Sequence, residues 1–213
     1  MSRNIIIYGA GGLGREVLQA VRLTLCAKGA VILGFVDDEV KPGTVLNDAA
    51  VLGGGEYLDS IAEPCSVVIG FADPHAKEGV YRRLRENPLI SFPNIVHPSA
   101  RISDYARLGE GVVIAENCLV SVDAAIGDCV FLNYGAMIGH DAIVGNFTSI
   151  MPSAAISGNV HIGERGMIGV LSALKQGIII GADCTIGMGS IVVHDVPDGV
   201  TVIGNPARAI TKP

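Results

Sequence analysis

The chain is short of basic residues: 15 Lys and Arg against 21 Asp and Glu leave a formal net charge of -6. A sequence-independent nucleic-acid binder needs a cationic stripe that displaces counterions from phosphates, so this balance argues against that class. Small acidic ligands stay possible, because a few local donors hold them. No apolar run reaches bilayer-spanning length. Met1, Ser2, Arg3 and Asn4 lead directly into a strand-like segment without the hydrophobic stretch of a secretion signal, so the expected compartment is the cytoplasm, with no membrane partner. Cysteine is sparse: Cys26, Cys65, Cys118, Cys129 and Cys184 are odd in number and lack CxxC spacing, which predicts buried thiols and no metal site.

Large aliphatic residues, by contrast, are abundant and strictly placed. From Val96 to Val192 every sixth residue is Val, Ile or Leu, including Ile114, Val120, Ile138, Ile150, Ile168 and Ile186. A period of six fits neither the 3.6 of a helix nor the alternation of a free sheet, and it predicts a coil with flat sides in which three hexads make one triangular turn. Two residues before the anchor the side chain is usually small, as at Ala124, Ala142, Ser172 and Cys184, which leaves interior room for the anchor. After it comes a corner that is often glycine, as at Gly109, Gly127, Gly139, Gly145, Gly163 and Gly181, where a positive φ is expected to cost little. The pattern is that of an all-β left-handed parallel β-helix.

The first half has another grammar. Ile5 to Tyr8 reads as a buried strand, Gly9 to Gly14 as a turn, Arg15 to Lys28 as a helix and Val31 to Val36 as a second strand. Strands near Val51–Leu52 and Val67–Gly70 follow, with helices near Glu56–Ile61 and His75–Glu86. This is an α/β Rossmann-like unit, and Pro88, Pro93 and Pro98 mark the passage out of it, giving domains 1–94 and 95–213 with a C-terminal tail from His194 that could cap the coil. Gly9, Gly11 and Gly14 fit G-x-G-x-x-G between a strand and a helix, where backbone amides and the helix dipole hold a phosphate. The candidate nucleotide contacts are Gly9, Gly11, Gly12, Leu13 and Gly14, with Asp37 and Asp38 at the end of the second strand as acceptors for ribose or base.

Repeat register separates the five histidines. His75, His97, His161 and His194 read as surface or structural residues. His140 lies two past anchor Ile138, at an outward corner position, with Asp141 next to it; a carboxylate beside an imidazole can orient it as a general base. Positions eighteen apart stack, so His140 lies under Gly158, whose amide could stabilise an oxyanion, while Pro152, Val170 and Met188 form an apolar column suited to a pantetheine chain.

A G-x-G-x-x-G α/β unit, hexapeptide repeats, a Gly-His-Asp step (Gly139, His140, Asp141) and a terminal Gly-Asn-Pro-Ala-Arg (Gly204 to Arg208) resemble the NeuD/PglD-type sugar O- and N-acetyltransferases. The resemblance covers almost the whole chain. It implies a nucleotide-sugar-binding N-terminal domain and a homotrimer with acetyl-CoA, the co-substrate, between neighbouring β-helices. It assigns catalysis to His140 and Asp141, and acetyl-CoA contacts to Ser149, Gly158, Val170 and Met188. Members often have a histidine inside the glycine-rich turn where this chain has Leu13, and Ser149 replaces a second histidine that some members use near acetyl-CoA.

The expected reaction is acetyl transfer to the amine of a UDP-linked amino sugar, His140 taking the proton, with no acyl-enzyme and no metal. O-acetylation of sialic acid or a related sugar is the close alternative. A sugar-nucleotide-binding scaffold without catalysis is the non-enzyme reading; a metal-dependent hydratase would need histidines closer in sequence than His140 and His161.

Overall fold

The computed structural model describes residues 4–210; Met1, Ser2 and Arg3, whose direct run into a strand is an expectation above, and the last three residues lie outside it. The described residues form two compact units, the first ending at 72 and resuming over 76–96, the second made of 73–75 and the residues from 97 on.

In the first unit the buried run at the start forms β1 (Asn4–Tyr8), followed by α1 (Gly12–Thr24), β2 (Val31–Val36), β3 (Val45–Leu46), β4 (Ala49–Gly53), β5 (Cys65–Ile69), α2 (Pro74–Leu84) and β6 (Ile90–Ser91). The sheet order is β3-β4-β2-β1-β5-β6, parallel except for the β3–β4 hairpin. Ile5, Ile6 and Ile7 are fully buried because β1 lies at the centre with neighbours on both sides. Three expectations need correction. The first helix begins at Gly12, taking Gly12, Leu13 and Gly14 from the turn into its first turn. It stops at Thr24, where a short 3-10 segment (Cys26–Lys28) leads to Gly29 at φ 90°, a left-handed stop that glycine adopts freely. The Glu56–Ile61 helix is a 3-10 turn over Gly55–Ser60.

The second unit is the expected left-handed parallel β-helix. Two-residue strands recur every six positions and pair in parallel with the strand eighteen residues on, as Val113–Ile114 does with Phe131–Leu132, and that pair with Ser149–Ile150. The three faces are three sheets, parallel throughout the coil. Every anchor from Ile114 to Val192 is buried, and the small slots at Ala124, Ala136, Ala142, Ala154, Cys118 and Cys184 are buried beside them. Burial pushes the Cys118 thiol up to about 11.

The reason for the corner glycines differs from the expectation. Left-handed residues fall three after the anchor, as at Asn117 (φ 59°), Asp141 (φ 58°), Asn159 (φ 55°) and Asp183 (φ 58°), and the glycine directly after the anchor is not among them. Proximity requires it instead: a Cβ on Gly145 would lie 2.5 Å from Gly163 C and 2.6 Å from Glu164 N in the next turn. The tail closes one face: Thr201–Gly204 pairs in parallel with Thr185–Ile186 and turns back antiparallel along Ala207–Ile210. Among the described residues no helix is long and apolar enough to cross a membrane.

Candidate active site

In the α/β unit, β1 delivers Gly9 to its C-terminal end at φ 104°, with its N–H on Val36 O at 2.7 Å. Gly14 lets α1 sit on that turn, since a Cβ there would collide with Gly9 O. Gly11 and Gly12 face open space, Leu13 is half-buried, and Gly11 stands at the N-cap of α1 without a side-chain cap bond, with no acidic residue in the first turn. Exposed first-turn amides at the positive end of a helix dipole form an anion cradle.

The two acids beside it are more committed than their position in the sequence implies. Asp37 accepts from the Ala10 amide at 2.7 Å through one oxygen, and from the Glu39 and Val40 amides at 2.9 and 3.0 Å through the other. Burial alone would raise its pKa; the three amides more than offset this and hold it below the ordinary value. Asp38 accepts from the Gly55 amide at 2.6 Å and from Tyr8 Oη at 2.9 Å. Burial, followed by the bond to Asp38, pushes the Tyr8 phenol up to about 12. Arg83 reaches Tyr8 Oη at 3.4 Å and Gly55 O at 3.3 Å. This Tyr8–Asp38–Arg83 group gave no signal in the sequence, because its members are 30 and 75 positions apart.

On the β-helix, Ile138 ends one strand and the chain turns a corner through Gly139, His140 and Asp141. The backbone is fixed on both sides: Asp141 N–H donates to Val122 O at 3.1 Å, and His140 O accepts from Asn159 N–H at 2.9 Å. The left-handed conformation of Asp141 folds its carboxylate back on the preceding ring, with His140 Nδ1 to Asp141 Oδ2 at 2.7 Å. Both side chains are about half exposed, at 48% and 51%. With the Nδ1 proton on Asp141, the other ring nitrogen carries a lone pair. That nitrogen, Nε2, occupies the space left by glycine one turn on: a Cβ on Gly158 would collide with it. Gly158 is buried against the ring, and among the described residues its N–H has no acceptor. A base and an unsatisfied donor therefore lie side by side.

The other expected contacts do not join this group within one chain. Val170 and Met188 stack on a different corner, where Gly189 N–H donates to Val170 O at 2.7 Å, and Met188 is 72% exposed. Ser149 lies on yet another face and is fully buried, so its side chain offers no surface to a thioester. His97 is held by Ser99 Oγ at 2.8 Å and Glu116 at 3.5 Å, as befits a structural residue. Among the described residues no cluster of His, Cys, Asp and Glu could hold a metal ion.

Residues 4–84 match the family model described as the PglD N-terminal domain. The structure of PerB from Caulobacter crescentus, in complex with CoA and GDP-perosamine, is 32% identical; the match covers 98% of this chain and 97% of that one with a TM-score of 0.88. The chain belongs to the PglD-type sugar acetyltransferase family. WeeI from Acinetobacter baumannii is 30% identical over 97% of this chain and 99% of that one, TM-score 0.88. The acetyltransferase domain of PglB from Neisseria gonorrhoeae, in complex with acetyl coenzyme A, is 28% identical over 99% of this chain and 100% of that one, TM-score 0.88. No curated protein matches the chain by sequence.

Proposed function

We propose that this chain transfers the acetyl group of acetyl-CoA to the amine of a nucleoside-diphosphate-linked amino sugar. The observation that carries the reading is the His140–Asp141 pair at 2.7 Å with Nε2 lodged against Gly158, whose amide is unpaired. His140 Nε2 takes the proton of the sugar amine as its nitrogen attacks the thioester carbonyl. Asp141 holds the imidazole in the tautomer that leaves Nε2 basic. The Gly158 N–H donates to the carbonyl oxygen as negative charge develops on it, and CoA leaves as the thiolate with no acyl-enzyme. The first-turn amides from Gly12 hold the diphosphate, and Asp37 shapes the turn that presents them.

Transfer to nitrogen is favoured over oxygen because the similar enzyme from Caulobacter crescentus is a perosamine N-acetyltransferase. UDP-linked amino sugars are the first acceptors to try, with GDP-linked ones beside them because PerB was solved with GDP-perosamine. The Val170–Met188 column is on a different corner of the prism from His140, so a thioester touching both is held between two copies of the chain. A homotrimer supplies that arrangement three times.

CoA release measured as free thiol, over a panel of UDP- and GDP-linked amino sugars, tests the proposal. Turnover with one of them, lost in His140→Ala while acetyl-CoA still binds, is the expected result. Binding of the sugar nucleotide with no thiol release by the wild-type chain would make it a scaffold, and sedimentation as a monomer would remove the shared cleft.

A further inference from the structure

We infer that Ser157 is a positioning residue that keeps the Gly158 amide open; this rests on the role given to that amide above. Two positions after the anchor, among the described residues, the backbone N–H is capped by a short polar side chain from the next turn in three places. Glu110 N–H donates to Asp128 Oδ1 at 3.0 Å, Asp128 N–H to Asn146 Oδ1 at 2.8 Å, and Ala182 N–H to Asp198 Oδ1 at 2.8 Å. In all three the residue before the capped amide is glycine, and the capping oxygen occupies the place of its missing side chain. A Cβ on Gly109 or Gly181 would collide with the cap, and one on Gly127 would lie 2.5 Å from it.

The rung of Gly158 departs from this on both counts. Ser157 stands where the capped rungs have glycine, so its Cβ occupies the site of a capping oxygen. The residue above is Gln176, one methylene longer than Asn, which makes no bond to Gly158 N–H. Length alone already defeats capping at one other rung: Glu164 stands over Asn146 yet bonds its side-chain Nδ2 at 3.1 Å instead of its amide. The ladder is also stretched at this step. Ser157 N–H reaches Leu174 O at 3.3 Å, whereas Gly127, Gly139, Gly145 and Gly181 make the same bond at 2.8 Å. A buried amide without a partner is costly to leave in place, and here two side chains combine to leave it so. The corner that carries the imidazole thus retains a donor that the Asp128 corner consumes.

The test compares crystal structures and steady-state kinetics of wild type, Gln176→Asn, Ser157→Gly and the double variant Ser157→Gly/Gln176→Asn. In the double variant the Asn oxygen should sit about 3 Å from Gly158 N, with kcat lowered about 10²-fold, the effect of losing one oxyanion donor. The KM values should change little, and denaturant melts that match wild type separate this loss from a smaller folded fraction. Gln176→Asn alone should form no cap and keep its turnover, because the Ser157 Cβ blocks it; Ser157→Gly alone should form no cap because Gln176 is too long. A cap in Gln176→Asn alone, or none in the double variant, overturns the inference about Ser157 and leaves the site reading intact. A cap in the double variant with unchanged kcat overturns the role of the Gly158 amide itself.

Discussion

The Asp128 corner and the His140 corner belong to one prism, share one backbone register and repeat every eighteen residues, yet they use their amides oppositely. At Asp128 and Asn146 the turns are laced together: each short polar side chain caps the amide below it, and further along the ladder the Arg165 guanidinium binds Asp183 at 2.8 and 3.0 Å and Glu164 at 3.0 Å. At His140 the equivalent positions are Val122, Gly158 and Gln176, none of which caps a neighbour. The first corner satisfies its Glu110 and Asp128 amides and gains stability. The second leaves a donor unpaired beside an imidazole, an arrangement with value only when a ligand brings the acceptor. In the proposed reaction the corner acts through what it omits as much as through what it adds.

Mutations can push each corner toward the other. The largest effect is expected from His140→Ala, with kcat lower by about 10²–10⁴-fold, the usual contribution of general acid–base catalysis. Gly158→Ala should approach it with the imidazole still present but displaced, because the new Cβ takes the space of Nε2 while the backbone at 158 is not left-handed and tolerates alanine. Kinetics that leave Gly158→Ala near wild type would mean the ring moves aside freely. Asp141→Asn should cost less, about 1 kcal/mol or roughly fivefold in kcat, since the pair is half exposed and water replaces part of the contact. The opposite corner should respond in stability alone. Asp128→Ala removes the cap on the Glu110 amide and should lower unfolding free energy by about 1 kcal/mol with kcat unchanged, measured by denaturant melts beside the thiol assay.

The smallest expected effect is in the α/β unit. The Tyr8 phenol is raised from 10.0 to about 12, so its contribution to stability is complete below about pH 10 and is lost as pH rises toward 12. Tyr8→Phe should cost about 1 kcal/mol at neutral pH and flatten the stability profile between those limits. An unchanged profile would show that the Tyr8–Asp38 bond is marginal.

The coil was legible because its signal is carried by large buried anchors at a fixed period, and His140 was legible because register alone placed it at an outward corner. The location of the left-handed residues was not. They fall three after the anchor on residues as unlike as Asp141, Phe147, Arg165 and Leu171, so no residue type marks them, while the obvious glycines answer a close approach between turns. The burial of Ser149 was hidden for a related reason: register fixes which face a residue is on but says nothing of what covers that face. Asp37 was found by its place at the end of β2, but its three amide bonds depend on how the turns after β1 and β2 meet, which spacing cannot express. The capping ladder did leave a trace, in Asp128 and Asn146 eighteen apart above Gly109 and Gly127.

The most direct test is a crystal structure of the chain with acetyl-CoA and a nucleotide-linked amino sugar. The sugar amine should lie within hydrogen-bonding reach of His140 Nε2, and the thioester oxygen on the Gly158 amide with a second protomer closing the cleft. A thioester bound away from that corner, or an imidazole that faces neither substrate, would contradict the proposed chemistry.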